Sequence, residues 1–186
     1  MTANKALDEI TLSTESIFEG KIISLQVDTV ELPNGNTSKR EIVRHPGAVA
    51  VLAIHNDRML VVEQYRQALG RTEVEVPAGK LEKGEQPEEA IKRELEEETG
   101  YRCDQVTLLN SFYTSPGFAD EIIHLYLAEN LQAGELNPDD DEFLEVTEIT
   151  LEEAYEQIRE GRISDAKTIM AVQAWHLIKV TGKPSL

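Results

Sequence analysis

Cysteine is nearly absent. Cys103 stands alone, which excludes an internal disulfide framework and a thiolate metal cluster. Long apolar runs are also missing, and none reaches the roughly 18 residues of a membrane-spanning helix. The opening MTANKALDEI lacks the apolar centre of a signal peptide. Positive charge is scarce: 18 Lys and Arg stand against 35 Asp and Glu, a net charge of −17. Phosphate-backbone binding needs clustered cations, so no nucleic acid is expected as a partner. The four histidines, His45, His55, His124 and His176, have no ligand spacing and read as structural. No repeat or low-complexity tract is visible. With 186 residues, 40% of them hydrophobic, the chain has room for one full domain with a sizeable core plus a small appendage. These features predict a soluble cytoplasmic protein with no membrane partner.

Residues 1–16 read as polar and loosely held. Residues 22–32 and 39–45 alternate as strands around the turn Pro33-Asn34-Gly35-Asn36, making a hairpin. A two-stranded hairpin is marginal alone, so this one must join a third strand, a neighbouring domain or another subunit. Residues 48–54 form a continuous apolar run, a strand buried on both faces. Further strands are expected at 59–65, 72–76, 106–113, 122–127 and 143–149. Helices are expected at 151–159 and from a Ser164 cap to about residue 180. Ile169, Val172, Trp175 or His176, and Lys179 fall around the buried face of the last helix. The mixture predicts an α/β fold, an α/β/α sandwich on a mixed sheet, with a small N-terminal antiparallel sheet.

The most informative stretch is GKLEKGEQPEEAIKRELEEETGY, residues 79–101. Pro87 suits the first position of a helix, Gln86 its cap, and Gly100 the position just past its end. At helical spacing Glu94, Glu97 and Glu98 share one face beside Ala90, Ile91 and Leu95, whereas Glu89, Lys92 and Glu96 point away. A solvated acidic face is the ordinary reading of such density. Carboxylates bordering an apolar stripe instead repel one another, and a divalent cation would offset that repulsion. Mg²⁺ takes hard oxygen ligands and keeps several waters, which suits phosphate substrates. Arg93 reaches Glu97 one turn on.

This stretch resembles the Nudix box, G-x5-E-x7-R-E-U-x-E-E-x-G-U, where U is aliphatic. Gly79, Glu85, Arg93, Glu94, Leu95, Glu97, Glu98 and Gly100 fill it in register, and Tyr101 departs from the final aliphatic position. The resemblance extends over about residues 18–180 and is strongest to the bacterial ADP-ribose pyrophosphatases, including PAGK before the box and SPGFADE after it. It implies a Nudix catalytic domain at 46–186. It also implies an N-terminal sheet at 1–45 that packs on the second subunit of a homodimer and serves the adenine side.

The rest of the site follows from the resemblance. Glu94 and Glu98 are the principal metal ligands, Glu97 assists, and the carbonyl of Ala78 joins them; Glu85 either joins as a ligand or holds the loop by a hydrogen bond. Two or three Mg²⁺ ions are implied, with Mn²⁺ as a substitute. Asp139-Asp140-Asp141-Glu142, by itself an ordinary soluble turn, corresponds to a mobile acidic loop of the family. Glu142 is chosen as the acid–base residue, with Asp140 in reserve. Pro116, with Gly117, reads alone as a turn; its place fifteen residues after the box is the family's mark of ADP-ribose specificity. Arg66 matches a phosphate-binding arginine, and Arg40 and Glu41 match residues near adenine; a surface ion pair is their plain alternative. The expected reaction cleaves ADP-ribose to AMP and ribose 5-phosphate. Another nucleoside diphosphate derivative (a sugar nucleotide, NADH or FAD) is one alternative. A non-catalytic ADP-ribose-binding module is another, although such modules typically lack box carboxylates. A purely acidic Ca²⁺-binding protein leaves Gly79, Arg93 and Gly100 unexplained.

Overall fold

The computed structural model describes residues 6–134 and 143–184. The chain divides into two units, one of residues 1–47 with 113–122, the other of 48–112 with 123–186. Residues 113–122 therefore cluster with the N-terminal residues rather than with the rest of 46–186.

In the first unit, β1 (Ile10–Glu19), β2 (Ser24–Glu31) and β3 (Thr37–Arg44) form an antiparallel sheet in the order β1-β2-β3. The expected hairpin is β2–β3, closed by a backbone bond from Leu32 to Asn36 at 2.8 Å. Its third strand comes from the segment read as loosely held, and the structure corrects that reading. The reason lies in the register. Shifts between Thr11 and Ser13 and between Ser16 and Phe18 break the two-residue alternation by which a strand is read from sequence. The buried Asp28 ties the strands together, accepting from Thr14 Oγ1 at 2.7 Å and from Gln26 Nε2 at 2.9 Å. Every residue of β1 is exposed, Ile10, Leu12, Ile17 and Phe18 included.

The second unit contains β4 (Ala48–His55), β5 (Arg58–Arg66), β6 (Arg71–Glu75) and β7 (Ala78–Lys80). Helix α1 (Pro87–Thr99) follows, then β8 (Tyr101–Arg102), β9 (Val106–Tyr113), β10 (Ile122–Ala128), β11 (Gln132–Ala133) and β12 (Leu144–Ile149). Helices α2 (Leu151–Glu160) and α3 (Ala166–Thr181) complete the chain. The main sheet runs β12-β5-β4-β10-β9, with β6 on β5 and β7 on β4; β8 and β11 pair separately. It is mixed: β4 lies parallel to β10 but antiparallel to β5 and β7.

Strand alternation on β4 builds the two faces. Val49, Val51 and Ala53 pack with Ala90, Ile91 and Leu95 of α1. Ala50 and Leu52 pack on the other side with Val172 and Trp175 of α3 and Ala154 of α2. A strand buried on both faces needs a continuous apolar run, which is what residues 48–54 provide. His176 and Lys179 are exposed, so Trp175 takes the core position. The cap of α3 is Asp165, not the expected Ser164: Asp165 Oδ1 accepts from Thr168 N at 3.1 Å. The Ser164 hydroxyl instead donates to the buried Glu73 at 2.9 Å.

Candidate active site

Helix α1 carries the box. Its C-terminal cap, Gly100, has φ 70° and donates to Glu96 O at 2.8 Å, a left-handed turn that a glycine adopts without strain. Ala90, Ile91 and Leu95 are fully buried, which fixes the rotation of the helix and leaves the carboxylate stripe at the edge of the core.

Arg93 organises that stripe. Its Nε and Nη2 donate to the two oxygens of Glu85 at 3.0 and 3.1 Å. Its Nη1 donates to Glu94 at 2.9 Å and to Glu97 at 2.8 Å. Hydrogen bonding from Arg93 holds the Glu85 carboxyl below its usual range, and Glu85, then Glu94 and Glu97, raise the Arg93 guanidinium further. Glu85 also accepts from Glu82 N at 3.0 Å within the loop, so the Arg93 fork ties that loop turn to the helix.

Glu94 and Glu98 converge on one short piece of backbone. The Ala78 N–H donates to Glu98 Oε2 at 3.0 Å, and Glu98 is only 3% exposed. At Gly79 an added Cβ would lie 1.9 Å from Glu94 Cδ. Glycine is therefore required there by close approach of the Glu94 carboxylate. Ala78, Glu94 and Glu98 are brought together as expected, with Glu85 and Glu97 joined through Arg93. Arg93 and backbone N–H groups engage these carboxylates. The donor set is all hard oxygen and suits a divalent cation such as Mg²⁺.

A second polar cluster, built around the expected Arg66, lies in the same unit. Arg66 forks onto Glu75 through Nε and Nη2 at 2.6 and 2.7 Å. Lys167 of α3 bonds the same carboxylate and also Asp165, the latter at 3.0 Å. Burial opposes ionisation of Glu75, but the Arg66 hydrogen bonds and the Lys167 charge outweigh it and hold its pKa at about 2. Arg66 also feels the charge of Glu98, which sets this cluster beside the box. Glu73, two residues before Glu75, is buried and meets the exposed Arg71 at 2.7 Å and the Ser164 hydroxyl at 2.9 Å. No local pattern signals these pairs, because Lys167 lies 92 residues from Glu75.

The remaining candidates belong to the first unit. Arg40 donates to Glu9, through Nε at 2.9 Å. Glu41 is the next residue on β3, so the two side chains leave opposite faces of the strand. Pro116 and Gly117 sit in a turn where Ser115 O accepts from Phe118 N and Ala119 N at 3.0 and 2.9 Å. Asp120 fastens this turn to the end of β3, accepting from Arg44 at 2.9 Å and from His45 N at 2.8 Å. Asp139, Asp140, Asp141 and Glu142 lie outside the described residues.

Carboxylates on a loop and helix over a mixed sheet supply the hard oxygen donors that a metal-dependent hydrolase of phosphate compounds uses. The chain belongs to the Nudix hydrolase family: residues 44–172 match the NUDIX domain. Residues 9–43 match the nucleoside diphosphate sugar hydrolase N-terminal domain. The chain is 60% identical to the methanol dehydrogenase activator of Bacillus methanolicus, across 91% of this chain and 93% of that protein. It is 56% identical to the ADP-ribose pyrophosphatase of Bacillus subtilis (strain 168), with the same coverage. A crystal structure of an ADP compounds hydrolase has the same fold, with TM-score 0.84 and 20% identity over 97% of this chain and 99% of that one. Nudix hydrolases use divalent metal ions, and the box donors fit that chemistry. No helix of the described residues is long and apolar enough to cross a membrane.

Proposed function

We propose that this protein hydrolyses ADP-ribose to AMP and ribose 5-phosphate. The observation that carries this reading is the convergence of Glu94 and Glu98 on Ala78 and Gly79, with Arg93 binding Glu85, Glu94 and Glu97. The 56% identity to an ADP-ribose pyrophosphatase supports the choice of substrate.

Glu94, Glu98 and the Ala78 carbonyl would hold two or three Mg²⁺ ions, with Glu97 and Glu85 assisting and Mn²⁺ as a substitute. The cations supply Lewis-acid polarisation of the phosphoryl oxygens and activation of water. Arg93 positions the carboxylates, which would otherwise repel. Arg66 offers a guanidinium for the diphosphate, and Arg40 or Glu41 serves adenine. Pro116, with Gly117, stands at the spacing after the box that marks ADP-ribose pyrophosphatases in the family. Glu142 moves the proton, with Asp140 in reserve.

A homodimer is part of this reading. The exposed apolar residues of β1 give a second copy a surface to cover. A cytoplasmic location fits a chain with one cysteine.

The test is product analysis of ADP-ribose incubated with Mg²⁺ and either wild type or Glu98→Gln. AMP and ribose 5-phosphate from wild type, with a loss of two orders of magnitude or more in the variant, is the expected outcome. Intact ADP-ribose together with cleavage of another nucleoside diphosphate sugar would favour a second reading, which the match of residues 9–43 supports. Binding without cleavage of any such compound would make the protein a binding module.

A further inference from the structure

Arg66 is gripped on one edge and open on the other. Its Nε and Nη2 meet Glu75 at 2.6 and 2.7 Å, while Nη1 makes no hydrogen bond among the described residues. The Arg66 side chain is 39% exposed and that of Glu75 only 2%. Glu75 cannot turn away either. Its Oε2 also takes Lys167, which Asp165 holds at 3.0 Å, and Asp165 in turn caps α3. Two cations and two anions balance, so the cluster needs no further counter-ion. Only Arg66 is both charged and substantially open to water within it.

We propose that Glu75 is the positioning residue for diphosphate recognition: it fixes the plane of the Arg66 guanidinium so that the free edge meets a substrate phosphate oxygen, and Lys167 and Asp165 fix Glu75. The inference rests on the reading above that the site takes a nucleoside diphosphate. An arginine at a strand end is ordinarily free among many rotamers, and a phosphate that bound it would have to order it. A two-point fork restricts it beforehand and leaves three of its five N–H groups for the ligand. A buried ion pair is weak evidence for stability in itself, because desolvation offsets much of the attraction. Positioning gives this pair a purpose that a packed apolar pair at the same place would not serve.

The test compares Glu75→Gln in two backgrounds, wild type and Arg66→Ala, with folding followed by thermal melting. In the wild-type background the KM for ADP-ribose should rise about tenfold with kcat within about threefold, the pattern of lost ground-state binding. In the Arg66→Ala background Glu75→Gln should add no further rise. A purely structural role would move both backgrounds alike, so equal rises, or no rise in either, overturn the proposal. If Glu75→Gln does not fold, Lys167→Met in the same two backgrounds carries the test by the same criteria. If ADP-ribose is bound but not cleaved, the hydrolase reading fails alone, and calorimetric Kd values replace KM. Cleavage with no coupling between the two residues overturns this inference alone. Neither binding nor cleavage of ADP-ribose overturns both.

Discussion

Arg93 grips Glu85 with two parallel hydrogen bonds, 3.0 and 3.1 Å, and so clamps the loop after β7 onto helix α1. The same guanidinium reaches Glu94 and Glu97, so one side chain sets the positions of three carboxylates. A lysine cannot reproduce a planar fork. Arg93→Lys should therefore lower activity about 10- to 100-fold, as changes behind metal ligands do. Steady-state kinetics at saturating Mg²⁺ decides it, and an unchanged kcat would remove Arg93 from the positioning role.

Gly79 is demanded by contact. An alanine there would put a methyl carbon into the Glu94 carboxylate. Gly79→Ala should cost about 1–3 kcal/mol in stability as overpacking and should displace Glu94. Thermal melting and activity should fall together. A variant with wild-type melting and rate would show that the loop yields freely.

Divalent cation should stabilise the folded protein. Arg93 engages Glu85, Glu94 and Glu97, and backbone N–H groups engage Glu85 and Glu98, so hard oxygen donors gather at the box. A ligand that binds only the native state raises its stability. Chelation should abolish hydrolysis and lower Tm, and Mg²⁺ or Mn²⁺ should restore both. Equal Tm with and without Mg²⁺ would count against metal binding at the box.

Glu75 makes stability depend on acid pH. Its folded pKa, about 2, lies below the ordinary carboxylate value. A depressed folded pKa contributes stability that is present above the unfolded pKa and lost as pH falls through the folded one. Ionisation of Glu75 should therefore make the protein on the order of 3 kcal/mol more stable at neutral pH than in strong acid, the difference being lost between about pH 4.5 and pH 2. Urea unfolding of wild type and Glu75→Gln across that range tests it. The gap between them should close with acid, and a gap constant in pH would refute the assignment.

The exposed apolar side chains of β1 should carry self-association. Leu12 and Ile17 are about half exposed. Replacing both with lysine should shift sedimentation from dimer to monomer, because two charges cannot be buried there without large desolvation. A monomeric wild type would end the homodimer reading.

The box was legible in the sequence because each of its residues answers a local requirement. Pro87 and Gly100 bracket the helix, and Ala90, Ile91 and Leu95 set its buried face. The carboxylate spacing then follows from 3.6 residues per turn. The double-sided burial of β4 was legible for the same reason, since a continuous apolar run has no solvent face. Strand β1 was not, because two register shifts break its alternation.

Residues 79–101 thus determined by themselves where the helix begins, ends and faces, since capping, periodicity and the Nudix spacing act within a few turns. The Glu75–Arg66–Lys167–Asp165 cluster was decided only by tertiary structure. Its members pair across as many as 92 positions. Whether a glutamate in a short strand meets water or two cations depends on which helix packs over it, and nothing near Glu75 in the chain specifies that helix.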